Sequence, residues 1–385
     1  MKITRLETIV VDLPNRWEGY GWHGLQIPIG NYVILRIETD SGIVGLGEAP
    51  VLPDWGGEHG RYYGEDTVTA AHVIDKYFAP ILIGADPLNI SKLLRQLDVP
   101  LKGHKSAKSA VDLALHDIAG KSMGVPVYQL LGGAMRKQAA ICHSVGIASP
   151  EFAATEAAGT AADGIMTMQI KVEGIPDEDC AIIEAIRATI ADEVDIFPDI
   201  NQGYSNPKMA IKAIRAMEEL GICAVEQPVE GRRPMARVTA AVNVPVWTDE
   251  GVWSPYDAME VVRQESADAI SIYYSKSGGL QQAMEIGVIA AAAGMPVNLN
   301  GALETGVGNA GNLHLIAALR AEVLPSVIPV TTIKGKETCK VGGVFYTDDI
   351  ITEPFPYENG CLAIPDKPGL GVELDPEKIE RYRVA

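Results

Sequence analysis

The sequence predicts an α/β protein, a (β/α) barrel that carries a smaller N-terminal α+β capping domain. Three observations predict it. Between about residues 133 and 340, short apolar strand-like runs alternate with alanine-rich helical runs. Charged or polar residues recur at the ends of those runs: Lys171 to Asp199 is 28 residues, Asp199 to Glu226 is 27, Glu226 to Asp249 is 23, and Asp249 to Tyr273 is 24. Before them, residues 1–132 read as strands followed by helices, the order of an α+β unit. A repeated β-α unit of this length with buried parallel strands marks a (β/α) barrel. A doubly wound open sheet competes, but no Gly-rich phosphate loop follows its would-be first strand.

Composition narrows the class. A chain of 385 residues accommodates one large barrel plus a small partner domain. With 47% hydrophobic residues and no low-complexity tract, a packed globular protein is expected. The balance of 32 basic against 50 acidic residues gives a net charge of −18, which argues against nucleic acid or an anionic membrane as partner. A small anionic substrate stays possible where a metal and a lysine dominate one cleft. Five scattered cysteines (Cys142, Cys180, Cys223, Cys339, Cys361) form no CxxC pair, so neither a disulfide framework nor a cysteine zinc site is expected. The opening MKITRLETIVVDLP has charges where an apolar signal core would lie, and no apolar run of about 18 residues follows. A cytoplasmic protein is expected.

Along the chain, VILRIETDSGIVGLGEAP (33–50) places β-rich runs on either side of Asp40-Ser41-Gly42, a hairpin signal. Residues 51–64 (VLPDWGGEHGRYYG) are rich in glycine, aromatics and charge and read as an exposed loop. From 65 to 132 the pattern is helical; in SAKSAVDLALHDIAGKSMG, Val111, Leu115, Ile118 and Ala119 share one face. Barrel strands are expected in AAICHSVGI, GIMTMQIKV, EVDIFPDIN, GICAVEQP, VPVWTDE, ADAISIYY and MPVNLN, with helices such as PKMAIKAIRAMEELG between them. After about 340 the pattern reads as short strands and turns without helices, a 341–385 tail able to return to the capping domain and close over the barrel mouth.

Catalytic groups of a barrel sit at the C-terminal ends of its strands. Here those ends carry Lys171, Asp199, Glu226 and Asp249. One acidic strand end is unremarkable, but three in succession converge on one side of the mouth. Without a cation they would repel, and some would stay protonated. An oxygen-preferring divalent ion resolves that. Mg2+ suits the set, with Mn2+ as a substitute, and the absence of histidine or cysteine from it makes zinc the poorer choice.

PDIN (198–201), VEQP (225–228) and TDEG (248–251) resemble the three metal-ligand motifs of the enolase superfamily, in its muconate-lactonizing branch (the mandelate racemase/muconate lactonizing enzyme family). QIKVEG (169–174) resembles the strand that carries the branch's Lys-x-Lys motif. SKSGGL (275–280), LETGVGNAGNLHLIAAL (303–319), GHKSAKSAVDLALHDIAGKSMGVPVYQLLGG (103–133) and the tail are similar to further segments of it, in the same order. The resemblance implies a modified TIM-type (β/α)7β barrel whose cap is completed by the C-terminal segment. It also implies Mg-dependent removal of the α-proton of a small carboxylate through an enediolate, and commonly a homo-oligomer. Lys171 is then the natural base; a lysine starts near pKa 10.4 and must be lowered to act at neutral pH.

Two departures from the branch matter. Gln169 stands where the first lysine of Lys-x-Lys usually lies. Tyr273 stands where the branch has its opposite-face lysine, three residues before Lys276. Lys276 matches a more variable basic position and reads as structural. Tyr273 is either a second catalytic group or an aromatic barrel plug. The sugar-acid dehydratases of the superfamily use a histidine after strand seven; this chain has Asn298 and Asn300 there, and His314 falls inside a later helix.

Supporting roles fall to Asn201, Gln227 and Glu250 beside the expected ligands. Glu304 resembles a family glutamate near the substrate, or else is a helix N-terminal acid. GYGWHG (19–24) and PDWGGEHGRYYG (53–64) offer Trp22, His23, Trp55, Tyr62 and Tyr63 as lid aromatics suited to a ring or a cationic ammonium. An isomerase, either a cycloisomerase or a racemase/epimerase, is the leading expectation. A lyase that eliminates a β-substituent is the alternative, and a metal-binding barrel that has lost catalysis is the third.

Overall fold

The computed structural model describes residues 1–14, 21–25, 31–301, 303–329 and 346–384. The chain opens with an antiparallel sheet, β1 (Ile3–Asp12), β2 (Asn31–Thr39) and β3 (Val44–Pro50), in that order. Residues 51–64 do more than loop over the surface. They form a small hairpin, β4 (Gly56–Gly57) with β5 (Tyr62–Tyr63); Trp55 and Tyr62 are half-buried, whereas Tyr63 is exposed. Helices α1 (Thr67–Val73), α2 (Ala79–Leu82), α3 (Ile90–Leu97), α4 (Lys105–Met123) and α5 (Val127–Leu130) follow, with a π-helical turn over Ile74–Phe78.

Helix α4 buries far more than the one face its apolar spacing marks, because it lies against the sheet on one side and the barrel on the other. Gly47 allows the approach to β3: a Cβ there would lie 1.9 Å from the Ala110 carbonyl oxygen. On the barrel side, the buried Asp112 carboxylate accepts the Leu280 amide at 2.5 Å.

The barrel strands are β7 (His143–Val145), β8 (Thr167–Lys171), β9 (Asp195–Asp199), β10 (Val225–Glu226), β11 (Val246–Thr248), β12 (Ala269–Ile272) and β13 (Val297–Leu299), parallel and in sequential order. Closure comes from residues 323–327, which make parallel bridges to Val297 and Asn300 on one side and to Ile141 on the other. The intervening helices are α6 (Pro150–Ala162), α7 (Pro176–Arg187), α8 (Pro207–Glu218), α9 (Arg232–Thr239), α10 (Pro255–Gln264), the single turn α11 (Tyr274–Ser277), α12 (Leu280–Ala292) and α13 (Gly306–Ala318). Their starts are written locally. Ser149, Asn206 and Ser254 accept amides of the first turn, and each precedes a proline whose missing N–H costs nothing there.

Gln138–Ala140 (β6) belongs elsewhere: it pairs antiparallel with the tail hairpin β14 (Tyr357–Glu358) and β15 (Cys361–Ala363). That hairpin therefore lies at the N-terminal end of the barrel, away from the mouth. The tail also contains a helix where only strands and turns were expected, α14 (Pro376–Tyr382), capped by Asp375. Beyond it the Val384 amide donates to the Val10 carbonyl, which sets Val384 on the edge of β1. Among the described residues no helix is long and apolar enough to cross a membrane.

Candidate active site

Strand register assembles the site. Lys171 pairs with Asp199 across β8 and β9, and Asp199 with Glu226 across β9 and β10, so the three lie in one row at the barrel mouth. Residues two apart on a strand share a face. Gln169 therefore points inward beneath Lys171, and Ser271 beneath Tyr273.

Each carboxylate is held by several donors. Asp199 receives Lys171 Nζ, Gln169 Nε2 at 3.1 Å and the Asn201 amide at 3.0 Å. Glu226 receives Gln169 Nε2 at 2.7 Å, Ser271 Oγ at 2.5 Å and Asn300 Nδ2 at 2.9 Å. Asp249 receives Tyr273 OH at 3.0 Å and Lys276 Nζ. Lys276 also donates to the Asp249 carbonyl at 2.6 Å and the Ser271 carbonyl at 3.1 Å, with its side chain fully buried. Gln227 fixes the next turn, accepting the Asp249 amide at 2.8 Å and Thr248 Oγ1 at 3.1 Å.

The turns that carry these groups are strained. Asn201, Gln202, Gln227 and Leu303 all have positive φ, at 42°, 68°, 37° and 64°. Such conformations cost energy in residues with a Cβ and cluster where function over-determines the backbone.

Burial pushes the Glu226 carboxyl up to about 8, with Asp199 and Asp249 adding to the effect. Burial likewise raises Asp199, against the opposing pull of Lys171. The Glu250 carboxyl stands well above its ordinary range, chiefly by burial and then by the charges of Asp249 and Asp199. The acids therefore feel one another strongly.

Among the described residues no group of three or more His, Cys, Asp or Glu side chains stands arranged to hold a metal ion, and Lys171, Gln169, Tyr273 and Lys276 all donate to the carboxylate oxygens. The donor chemistry nonetheless fits a hard divalent cation. Asp199, Glu226 and Asp249 are an all-oxygen set, fully or almost fully buried, and mutually repulsive.

One cavity opens over this row. Its walls include Lys171, Gln169, Asn201, Asp249, Tyr273 and Asn300, with Trp22, Leu52, Trp55, Leu303 and Val327 supplying apolar surface. The expected lid aromatics thus divide. Trp22 and Trp55 line the cavity. His23 packs against Gly203, and Tyr62 turns to Asp257 on the barrel. Gly19 and Tyr20 of the first lid motif, and Cys339, lie outside the described residues.

Other expected residues sit one layer back. Asn298 donates to Asn300 Oδ1 at 3.1 Å, leaving Asn300 as the member of the pair that reaches both Glu226 and the cavity. Asn201 Nδ2 donates to Glu250 Oε1 at 3.0 Å. Glu304 is buried, accepts Ser275 Oγ at 3.3 Å, and stands behind Gly301 of the cavity wall. Ser271 and Ser144, the latter 2.8 Å from Gln169 Oε1, went unmarked in the sequence. Strand parity marks Ser271, two residues before Tyr273; Ser144, with Cys142 and Gly146 at the same spacing, carries no such signal.

Comparison with known proteins agrees with this architecture. Residues 27–132 match the model of the mandelate racemase/muconate lactonizing enzyme N-terminal domain, and residues 151–378 match that of the enolase C-terminal domain-like family. The chain is 31% identical to an N-succinyl-L-Arg/Lys racemase of Bacillus cereus, covering 100% of this chain and 98% of that one. It is 34% identical to an L-Ala-D/L-Glu epimerase of Clostridium acetobutylicum, over 89% of this chain and 91% of that one. The crystal structure of a 2-chloromuconate cycloisomerase from Rhodococcus opacus superposes with a TM-score of 0.89 at 28% identity, covering 100% of both chains.

Proposed function

The chain belongs to the mandelate racemase/muconate lactonizing enzyme family, in the muconate-lactonizing branch of the enolase superfamily, and from that premise we propose that Lys171 removes the α-proton of a small carboxylate in an isomerisation. The relatives named above are a racemase, an epimerase and a cycloisomerase, each of them an isomerase. The observation that carries the reading is the position of Lys171 in the wall of the cavity, beside Asp249 and Tyr273.

Asp199, Glu226 and Asp249 would hold a divalent cation, Mg2+ or in its place Mn2+. When bound, that ion supplies Lewis-acid stabilisation of negative charge developing on the substrate carboxylate. The rest falls to side chains of this chain. Lys171 Nζ takes the proton, steadied by Asn201 Oδ1 at 3.3 Å. Gln169, tied to Ser144, keeps the Asp199 and Glu226 oxygens together as a neutral donor where a lysine would add charge. Trp22, Leu52, Trp55 and Leu303 exclude water from the α-carbon.

One observation favours a second reading. Tyr273 OH is committed to Asp249 at 3.0 Å, and its acidity is suppressed chiefly by burial. A single strong base suits chemistry on one face of the α-carbon, which includes cycloisomerisation but also syn elimination of a β-substituent. Incubating the protein with Mg2+ in D2O across a panel of small carboxylic acids separates the two. Deuterium at the α-carbon or a rearranged product of unchanged composition supports the isomerase; loss of water or another β-group overturns it in favour of a lyase.

A further inference from the structure

A cluster of charged and aromatic side chains away from the carboxylate row joins the β4–β5 hairpin to the barrel. At its centre is Asp257, completely buried in the first turn of α10. Tyr62 OH donates to its carboxylate, 2.5 Å from each oxygen. From the barrel itself, Asp257 accepts Arg232 Nη2 at 2.5 Å, Ser254 Oγ at 2.7 Å and the Trp253 amide at 3.1 Å. Arg232 reaches on to Glu58 of the hairpin at 3.2 Å, and Arg61 lies 3.6 Å from Asp257.

The same contacts lead to the cavity. The Tyr62 ring stacks parallel on Trp253 at 5.2 Å, Trp253 lies 5.0 Å from Trp55, and Trp55 lies 5.1 Å from Tyr273. A continuous run of four aromatic rings thus connects the buried carboxylate to the cavity wall.

We propose that Tyr62, Asp257 and Arg232 are positioning residues: they latch the β4–β5 hairpin onto the barrel and so hold Trp55 in place as a wall of the substrate cavity. The division of partners makes the latch reversible. If the hairpin lifts, Asp257 keeps Arg232, Ser254 and the Trp253 amide, so no buried charge is left unpaired. Opening therefore costs hydrogen bonds and stacking, not an orphaned ion. The role in substrate binding rests on the proposed function of the cavity; the latch itself does not.

Tyr62→Phe in the full-length protein keeps the ring stack and deletes the donor. Amide hydrogen exchange across residues 53–64 should quicken by about tenfold or more, as expected for losing a hydrogen bond to a charged acceptor. Acrylamide quenching of Trp55 fluorescence, taken as the difference from a Trp55→Phe background, should rise in parallel. Asp257→Asn should loosen the same segment by more, since it also takes the charge partner from Arg232, and adding Tyr62→Phe to it should have little further effect, because the carboxylate that Tyr62 donates to is already gone. On any carboxylate that the wild type deuterates at its α-carbon, Tyr62→Phe should raise KM about tenfold with kcat within about threefold. Unchanged exchange over 53–64 overturns the latch. Faster exchange with unchanged Trp55 quenching and KM overturns the positioning role. The exchange and quenching measurements need no turnover, so they stand or fall separately from the proton-abstraction reading.

Discussion

Replacing Lys276 with methionine removes a buried cation while keeping most of its volume, and its environment sets the cost. The ammonium spends its three donors on the Asp249 carboxylate, the Asp249 carbonyl and the Ser271 carbonyl, and its side chain has no solvent exposure. Methionine satisfies none of them. Asp249, itself almost fully buried, would keep only the Tyr273 hydroxyl among these side-chain partners. Breaking one side of a buried pair costs about 3–5 kcal/mol, because the partner charge is left uncompensated. Lys276→Met should therefore lower the free energy of unfolding in metal-free buffer by roughly that amount. Added Mg2+ should restore part of the loss, since a cation bound to the carboxylates stabilises the folded state by mass action. Urea denaturation with and without Mg2+ measures both quantities. Lys367→Met is the control: its ion pair with Glu353 is 67% and 76% exposed and should be worth less than about 1 kcal/mol. A Lys276→Met protein within about 1 kcal/mol of wild type would refute the reasoning.

Two further perturbations follow. Burial pushes the Glu48 carboxyl up to about 8 although Thr305 and Gly308 donate to it, so the folded protein holds a proton there that the unfolded chain, at 4.5, does not. That stabilisation is complete below 4.5 and is lost as pH rises through about 8. One such group contributes a decline of up to about 1.4 kcal/mol per pH unit, which Glu48→Gln should flatten in urea titrations run from pH 5 to 9. Tyr273→Phe should retain α-deuteration on the Lys171 face while abolishing inversion if the tyrosine serves the opposite face; chiral analysis of the recovered acid reads the result.

The barrel was legible because its charged strand ends recur every 23 to 28 residues, and the register then sets Lys171, Asp199 and Glu226 in one row. The site around them was less legible, for specific reasons. Tyr273 and Lys276 both reach Asp249 because the turn of α11 brings residues three apart to one side, a helical relation hidden by treating 273 as a strand end. Ser271 and Asn300 hold Glu226 through neutral side chains that carry no charge pattern. Tyr62 and Trp55 look equivalent in a Gly-rich segment, yet pairing of β4 with β5 sends one to Asp257 and the other to the cavity. Helix α14 had a readable start in Asp375-Pro376, an N-cap followed by proline, which the turn-rich surroundings masked.

The central claim, that Lys171 removes an α-proton, is tested most directly by solvent-deuterium incorporation in Lys171→Ala with Mg2+ present. On a carboxylate that the wild type deuterates, a positioned general base contributes about 10²–10⁴-fold, so the variant should lose α-exchange by at least two orders of magnitude. Its affinity for Mg2+, read by calorimetry, should not fall, because Asp199 has lost a competing cation and no ligand. Exchange at the wild-type rate in Lys171→Ala would contradict the assignment of the base.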